Sequence, residues 1–177
     1  AIVSKEMDSV FADTLISNYY EEHKENFKLG QDLVKLRYIN LEANNTNFDK
    51  IKDWFIRFND KDKVKLQENA LQFKNYSFND SVWIKTTTVY EKVTPLSVGD
   101  RAKLLQKDKY IELKDSLETY LIYVNDALKK NDQAPLEYAK PTVEQILLNK
   151  QKLELVKQLE KDITKDAIKN NQFEIYN

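Results

Sequence analysis

An α+β fold, a small antiparallel sheet with helices packed on it and one long C-terminal helix, follows from three features of the sequence. Two glycines and three prolines in 177 residues leave few interruptions, so helix dominates. Val34 to Leu41 alternates apolar and polar residues, while YIELKD (110–115) and TYLIYV (119–124) follow one another closely, as the arms of an antiparallel hairpin do. From Pro141, a residue suited to a first helical position, Val143, Ile146, Leu147, Leu153, Val156, Leu159, Ile163 and Ala167 keep to one face of a helix.

Ile2 to Val10 suits strand or helix equally. Asp13-Thr14 offers a cap, and Leu15, Ile16, Tyr19, Tyr20 and Phe27 recur at roughly helical spacing up to Gly30. In the strand that follows, Val34, Leu36 and Tyr38 share one face; Leu33, Lys35, Arg37, Ile39 and Leu41 share the other. Glu42 to Asn47 is a turn-forming stretch with Asn44 to Asn47 as its core. Phe48, Ile51, Trp54, Phe55 and Phe58 mark one helix, and Val64, Leu66, Ala70, Leu71 and Phe73 a second, joined through Asn59-Asp60. The β-branched segment SVWIKTTTV (81–89) reads as a strand, and Pro95 and Gly99 as the turn after it. A helix over 142–169 would be roughly 40 Å long. Asn170-Asn171 is its expected stop, with Phe173 to Tyr176 as an added edge strand. One strip of so long a helix needs a partner, either the N-terminal helix or a surface outside this chain.

Composition excludes several function classes. The 28 basic and 29 acidic side chains nearly cancel, so no field favours nucleic acid or an anionic membrane. No apolar run reaches a membrane span. Without cysteine there is no disulfide, thiolate metal site or cysteine nucleophile. Two glycines cannot build a phosphate-cradling loop, and no cofactor is implied. A chain that begins at Ala1 with no leader reads as a processed form whose secretion signal has gone.

Residues 18–41 carry a resemblance. The pair Tyr19-Tyr20, the acidic run Glu21, Glu22, Glu25 and the exit Phe27-Lys28-Leu29 lead into Val34-Lys35-Leu36-Arg37-Tyr38-Ile39-Asn40-Leu41. This resembles the entry to the parvulin-type prolyl isomerase domain of SurA-like periplasmic foldases. The order strand, helices, strand, helical turn and closing hairpin is that of a parvulin domain, and the resemblance covers about residues 18–126. Ala134-Pro135-Leu136-Glu137-Tyr138 and Phe173-Glu174-Ile175-Tyr176 resemble the closing segments of SurA-like chains, which pack with an N-terminal chaperone region. The family carries more N-terminal sequence than this chain. The organisation implied is an N-terminal helical segment (1–30), a parvulin-like domain (31–128), and a C-terminal helix and tail (129–177) packing with the N-terminal segment.

The departures bear on activity. The family places a histidine after the Leu-Arg of its first strand and another in its last; here these positions hold Tyr38 and Tyr120. Its glycine-rich loop is represented by Asn79 to Ile84, which keeps Trp83 and none of the glycines, and the acid among the histidines has no clear counterpart beyond the neighbouring Asp80. Prolyl rotation needs no proton transfer, because the barrier is amide resonance of about 18–20 kcal/mol and falls when the twisted bond is bound best. Tyrosines hydrogen-bond without titrating near neutrality. Isomerase activity is therefore expected to be weak or absent, with no confident catalytic residue.

Other groups read as ordinary surface or core. His23, flanked by Glu21, Glu22 and Glu25, belongs to a solvated helix face rather than a metal site or general base, and the Glu21-Glu22 and Asp60/Asp62 pairs are surface charge. Trp54, Phe55, Phe58, Phe73 and Phe78 are core candidates. Tyr38, Trp83, Tyr90, Tyr120 and Ile122 are the candidates for lining a peptide groove. The resemblance implies a folding factor of the Gram-negative periplasm or cell envelope, with unfolded or proline-containing polypeptides as partners. The competing expectation is a non-enzymatic subunit docked on one fixed partner in an envelope assembly.

Overall fold

The computed structural model describes residues 11–175, with side chains described through Ile168. They form two compact units, one from residues up to Phe27 together with those from Gln133 onward, the other from Lys28 to Asp132. Among the described residues the fold is α+β: a five-stranded antiparallel sheet and six α-helices, the last of them the long C-terminal one.

In the second unit, β1 (Leu33–Glu42) is central. It pairs with β2 (Asn75–Ser77), β3 (Ile84–Lys85) and β5 (Glu118–Leu128), and β5 pairs in turn with β4 (Lys109–Lys114), giving the order β2-β1-β5-β4. Both faces of β1 are covered, so its burial is nearly continuous rather than alternating. Val34, Leu36 and Tyr38 enter one apolar cluster with Val89, Val93, Leu104, Tyr120 and Ile122. Ile39 and Leu41 enter another with Ile51, Phe55, Leu66, Phe73 and Leu121. Between Lys35 and Leu36 the register with β5 slips past Asn125, a bulge that re-aims the strand.

The second cluster is closed by α2 (Phe48–Arg57) and α3 (Asp60–Glu68). Ile51 and Phe55, four residues apart, bury fully on the sheet, while Trp54, Phe58 and Phe78 pack at its edge. Phe58 ends α2 at φ 51°, a left-handed conformation that usually goes to glycine. Asn59 then caps α3, accepting from the Asp62 amide while the Asp62 carboxylate accepts from the Asn59 amide. Arg57 grips the same carboxylate at 2.6 and 2.8 Å.

That grip, with the Asn59 amide assisting it against the opposing effect of burial, holds the Asp62 carboxyl below its ordinary 3.8. The unfolded chain binds this proton more readily, so the stabilisation is complete above the ordinary value and is lost as pH falls through the depressed one. Asp62→Asn should therefore flatten the acid side of the stability profile, measured as urea midpoints from neutral to strongly acid pH. Parallel profiles would refute the coupling.

Several expectations are corrected. The segment 81–89 is not a strand: only Ile84 and Lys85 pair with β1, and Thr86–Lys92 forms α4. A helix puts Val89 and Val93 on one face, 3% and 1% exposed, and that burial outweighs β propensity. The expected second helix stops at Glu68, followed by a 3₁₀ turn over Ala70–Gln72; Leu66 and Phe73 are buried, but Val64 and Leu71 face solvent. Gly99 lies inside α5 (Val98–Lys103), capped by Ser97 and Asp100, rather than in a turn.

In the first unit, α1 (Asp13–Glu22) is capped by Ala12 without a side-chain acceptor, so Asp13-Thr14 does not cap it. The helix ends at Glu22, ahead of a 3₁₀ turn over Lys24–Asn26, and does not continue to Gly30. The reason is tertiary: the Gln133 amide donates to the Lys24 and Phe27 carbonyls, and Tyr20 donates to Ala134. The long helix α6 (Leu136–Ile175) starts earlier than expected, with Pro141 inside it, because starting at Leu136 buries Ala139 with Val143. It also runs past Asn170-Asn171, so Phe173 to Ile175 are helical rather than an edge strand; Tyr176 lies outside the described residues, as do Ile2 to Val10. Only the first turns of α6 are buried, and Leu153, Val156, Leu159 and Ile163 are exposed. No helix among the described residues is long and apolar enough to cross a membrane.

Candidate functional site

On the Tyr38 face of the sheet, β1, β2, β3 and α4 enclose a cavity of about 110 Å³. Its apolar wall is Leu36 and Tyr38 from β1, Ile84 from β3, and Val89 and Val93 from α4 and the residue after it. The helical turn that replaced the expected strand creates this wall, because Val89 and Val93 then face β1. Ser77, Asn79, Thr88 and Lys92 form the polar part of the lining. Ligand pockets for drug-sized molecules run to about 300–1,000 Å³, so this one has room for a single side chain of a larger ligand.

Tyr38 is 6% exposed, and burial raises its phenol above the ordinary range, partly opposed by a hydrogen bond with Asn75. Tyr120 is 5% exposed and is raised chiefly by burial, then by Glu118, with Thr94 opposing. Both phenols are neutral at physiological pH and serve as hydrogen-bonding groups, where an imidazole pair would exchange protons. Beside them, Asn40 donates to Glu118, which also pairs with Lys74 at 3.2 Å.

The other candidate residues are placed less uniformly. Ile122 is fully buried opposite Tyr38, so Tyr38, Tyr120 and Ile122 share one cluster, but of these Tyr38 alone lines the cavity. Tyr90 packs at the edge of that cluster with the Arg101 guanidinium 4.2 Å from its ring centre. Trp83 is 9% exposed, with the Lys35 ammonium 4.7 Å over its ring. His23 stacks on Tyr19, with ring centres 4.1 Å apart, and its Nδ1 lies 3.0 Å from the Tyr19 carbonyl. No group of three or more histidine, aspartate or glutamate residues able to hold a metal occurs among the described residues.

Sequence reasoning passed over Arg37 and Lys92. Arg37, 4% exposed, lies between the rings of Phe58 and Tyr123, each 4.1 Å from its Cζ. Its Nε and Nη2 donate to the Phe55 carbonyl, Nη2 also to Ile56, and Nη1 to Asp80 at 2.8 Å. Asp80 is thereby fixed, and its carbonyl accepts from Asn125. An arginine inside a strand buried on both faces was the available signal. For Lys92 the sequence held none, because its position depends on α4 being a helix.

No family model and no curated protein matches the chain. Among solved structures, it is similar to one from work on the virulence factor PEB4 and the periplasmic protein Cj1289, two structurally related SurA-like chaperones of Campylobacter jejuni. The identity is 14% and the TM-score 0.33, over 93% of this chain and 66% of that one. This chain thus spans just under two thirds of that structure's length, and a likeness of this size carries no argument about what it does.

Proposed function

We propose that this protein is a SurA-like folding factor of the Gram-negative periplasm or envelope. It holds extended apolar or proline-containing segments of unfolded polypeptides, and its prolyl isomerase activity is weak or absent. The observation that carries the reading is the apolar cavity beside Tyr38, on the strand whose sequence resembles the parvulin entry. The element order of residues 33–128, with its closing hairpin, supports it. A proline ring or aliphatic side chain would occupy the apolar wall, and neutral phenols would at most donate hydrogen bonds to a twisting amide. Uncatalysed X-Pro rotation takes tens to hundreds of seconds, long enough for exposed strands to aggregate, so holding a client is useful without catalysis.

The test is an NMR titration with X-Pro and X-Leu peptides, followed by exchange measurements of cis-to-trans rotation. Shifts centred on Tyr38, Val89 and Val93, abolished by a blocking Ser77→Phe substitution, are the expected result. Peptides that shift nothing at the cavity would overturn the reading. Docking on one fixed partner is favoured by a different observation, the near-complete burial of Tyr120 and Ile122, neither of which lines the Tyr38 cavity. That reading gains if unfolded clients aggregate equally with and without the protein.

A further inference from the structure

We propose that the Tyr38 cavity selects an apolar side chain accompanied by a carboxylate, with Lys92 as the residue that reads the charge. The inference rests on the peptide-holding reading above. Lys92 is the one charged residue among those lining the cavity, and no carboxylate joins it there. It is exposed and makes no ion pair among the described residues. Thr88 and Lys92 are four residues apart on α4, so they lie on the same side of the helix as the cavity they line.

The physical consequence follows from the lining. A lysine needs no fixed geometry to attract an anion, since its ammonium is a point charge on a flexible stem. At the edge of an apolar wall, field lines concentrate in the opening, and an anion there is favoured over a cation. Ser77, Asn79 and Thr88 supply neutral polar groups, none of which offsets the charge. The partner chemistry is therefore a carboxylate within about one residue of the apolar anchor. It is supplied either by a flanking aspartate or glutamate or by the free C-terminus of a chain.

Four peptides with the same proline or leucine anchor separate these sources: neutral and amidated, Glu-flanked and amidated, Lys-flanked and amidated, and neutral with a free C-terminus. Affinities come from the same NMR shifts of Tyr38, Val89 and Val93. The Glu-flanked or free-carboxylate peptide, whichever source applies, should bind about two- to fivefold more tightly than the neutral one, the range of exposed ion pairs, and lose that gain in high salt. Lys92→Glu should transfer the preference to the Lys-flanked peptide. Equal affinities across the panel, or a preference that survives Lys92→Glu, would overturn this inference and leave the peptide-holding reading standing. If no peptide shifts the cavity residues, the peptide-holding reading falls and takes this inference with it.

Discussion

Arg37→Leu is expected to lower the unfolding free energy by about 3 kcal/mol, the lower end of the cost of breaking a buried ion pair. Leucine retains part of the packing volume. It abandons the carbonyls of Phe55 and Ile56, the partner Asp80, and the two rings that flank the guanidinium. Asp80 is 21% exposed and can regain water, which keeps the cost from the upper end. Burial lowers the affinity of Arg37 for its proton, and Asp80 restores part of it, so the guanidinium is paired rather than isolated. Arg37→Lys should recover little, because a point charge cannot reproduce the fork of donors or the stacking. Both tryptophans, Trp54 and Trp83, lie in the second unit, so their fluorescence in urea reports on the unit that holds Arg37. A loss below about 1 kcal/mol, the size of a surface pair, would refute this role.

Phe55→Ala is expected to cost about 3–5 kcal/mol, as for other fully buried aromatic rings. Phe55 is fully buried between α2 and the sheet, edge-on to Tyr110 with ring centres 6.4 Å apart. Its ring centre is 5.2 Å from the Arg37 Cζ, so the two substitutions act on one contact network. A double-mutant cycle should then show an interaction of about 0.5–3 kcal/mol, where independent sites would simply add. Phe55 lies on the face of the sheet opposite the Tyr38 cavity. Peptide shifts at Val89 should therefore survive in the folded fraction of Phe55→Ala, and their loss would show that the two faces are not separable.

Much of the architecture was legible because period and burial agree. The alternation in β1 correctly divided Val34, Leu36 and Tyr38 from Ile39 and Leu41, and the closing hairpin formed where its two apolar runs stand. Misreadings fell where tertiary burial overruled a local preference. Thr86 to Val89 favours a strand on its own, and only packing against β1 makes a helix of it. Pro141 suits a helix start, yet Ala139 and Val143 draw the helix back to Leu136.

The site divides along the same line. Sequence by itself determined the strand pattern around Tyr38, the tyrosines at positions 38 and 120, and the absence of cysteine. Those are statements about residue types and their spacing along one element. Tertiary structure decided which of the aromatic candidates meet, that Arg37 is buried among aromatic rings, and that Lys92 stands at the cavity. Each of these depends on two or more elements arriving at one place. No single segment encodes that convergence, because long-range burial supplies the free energy that sets it.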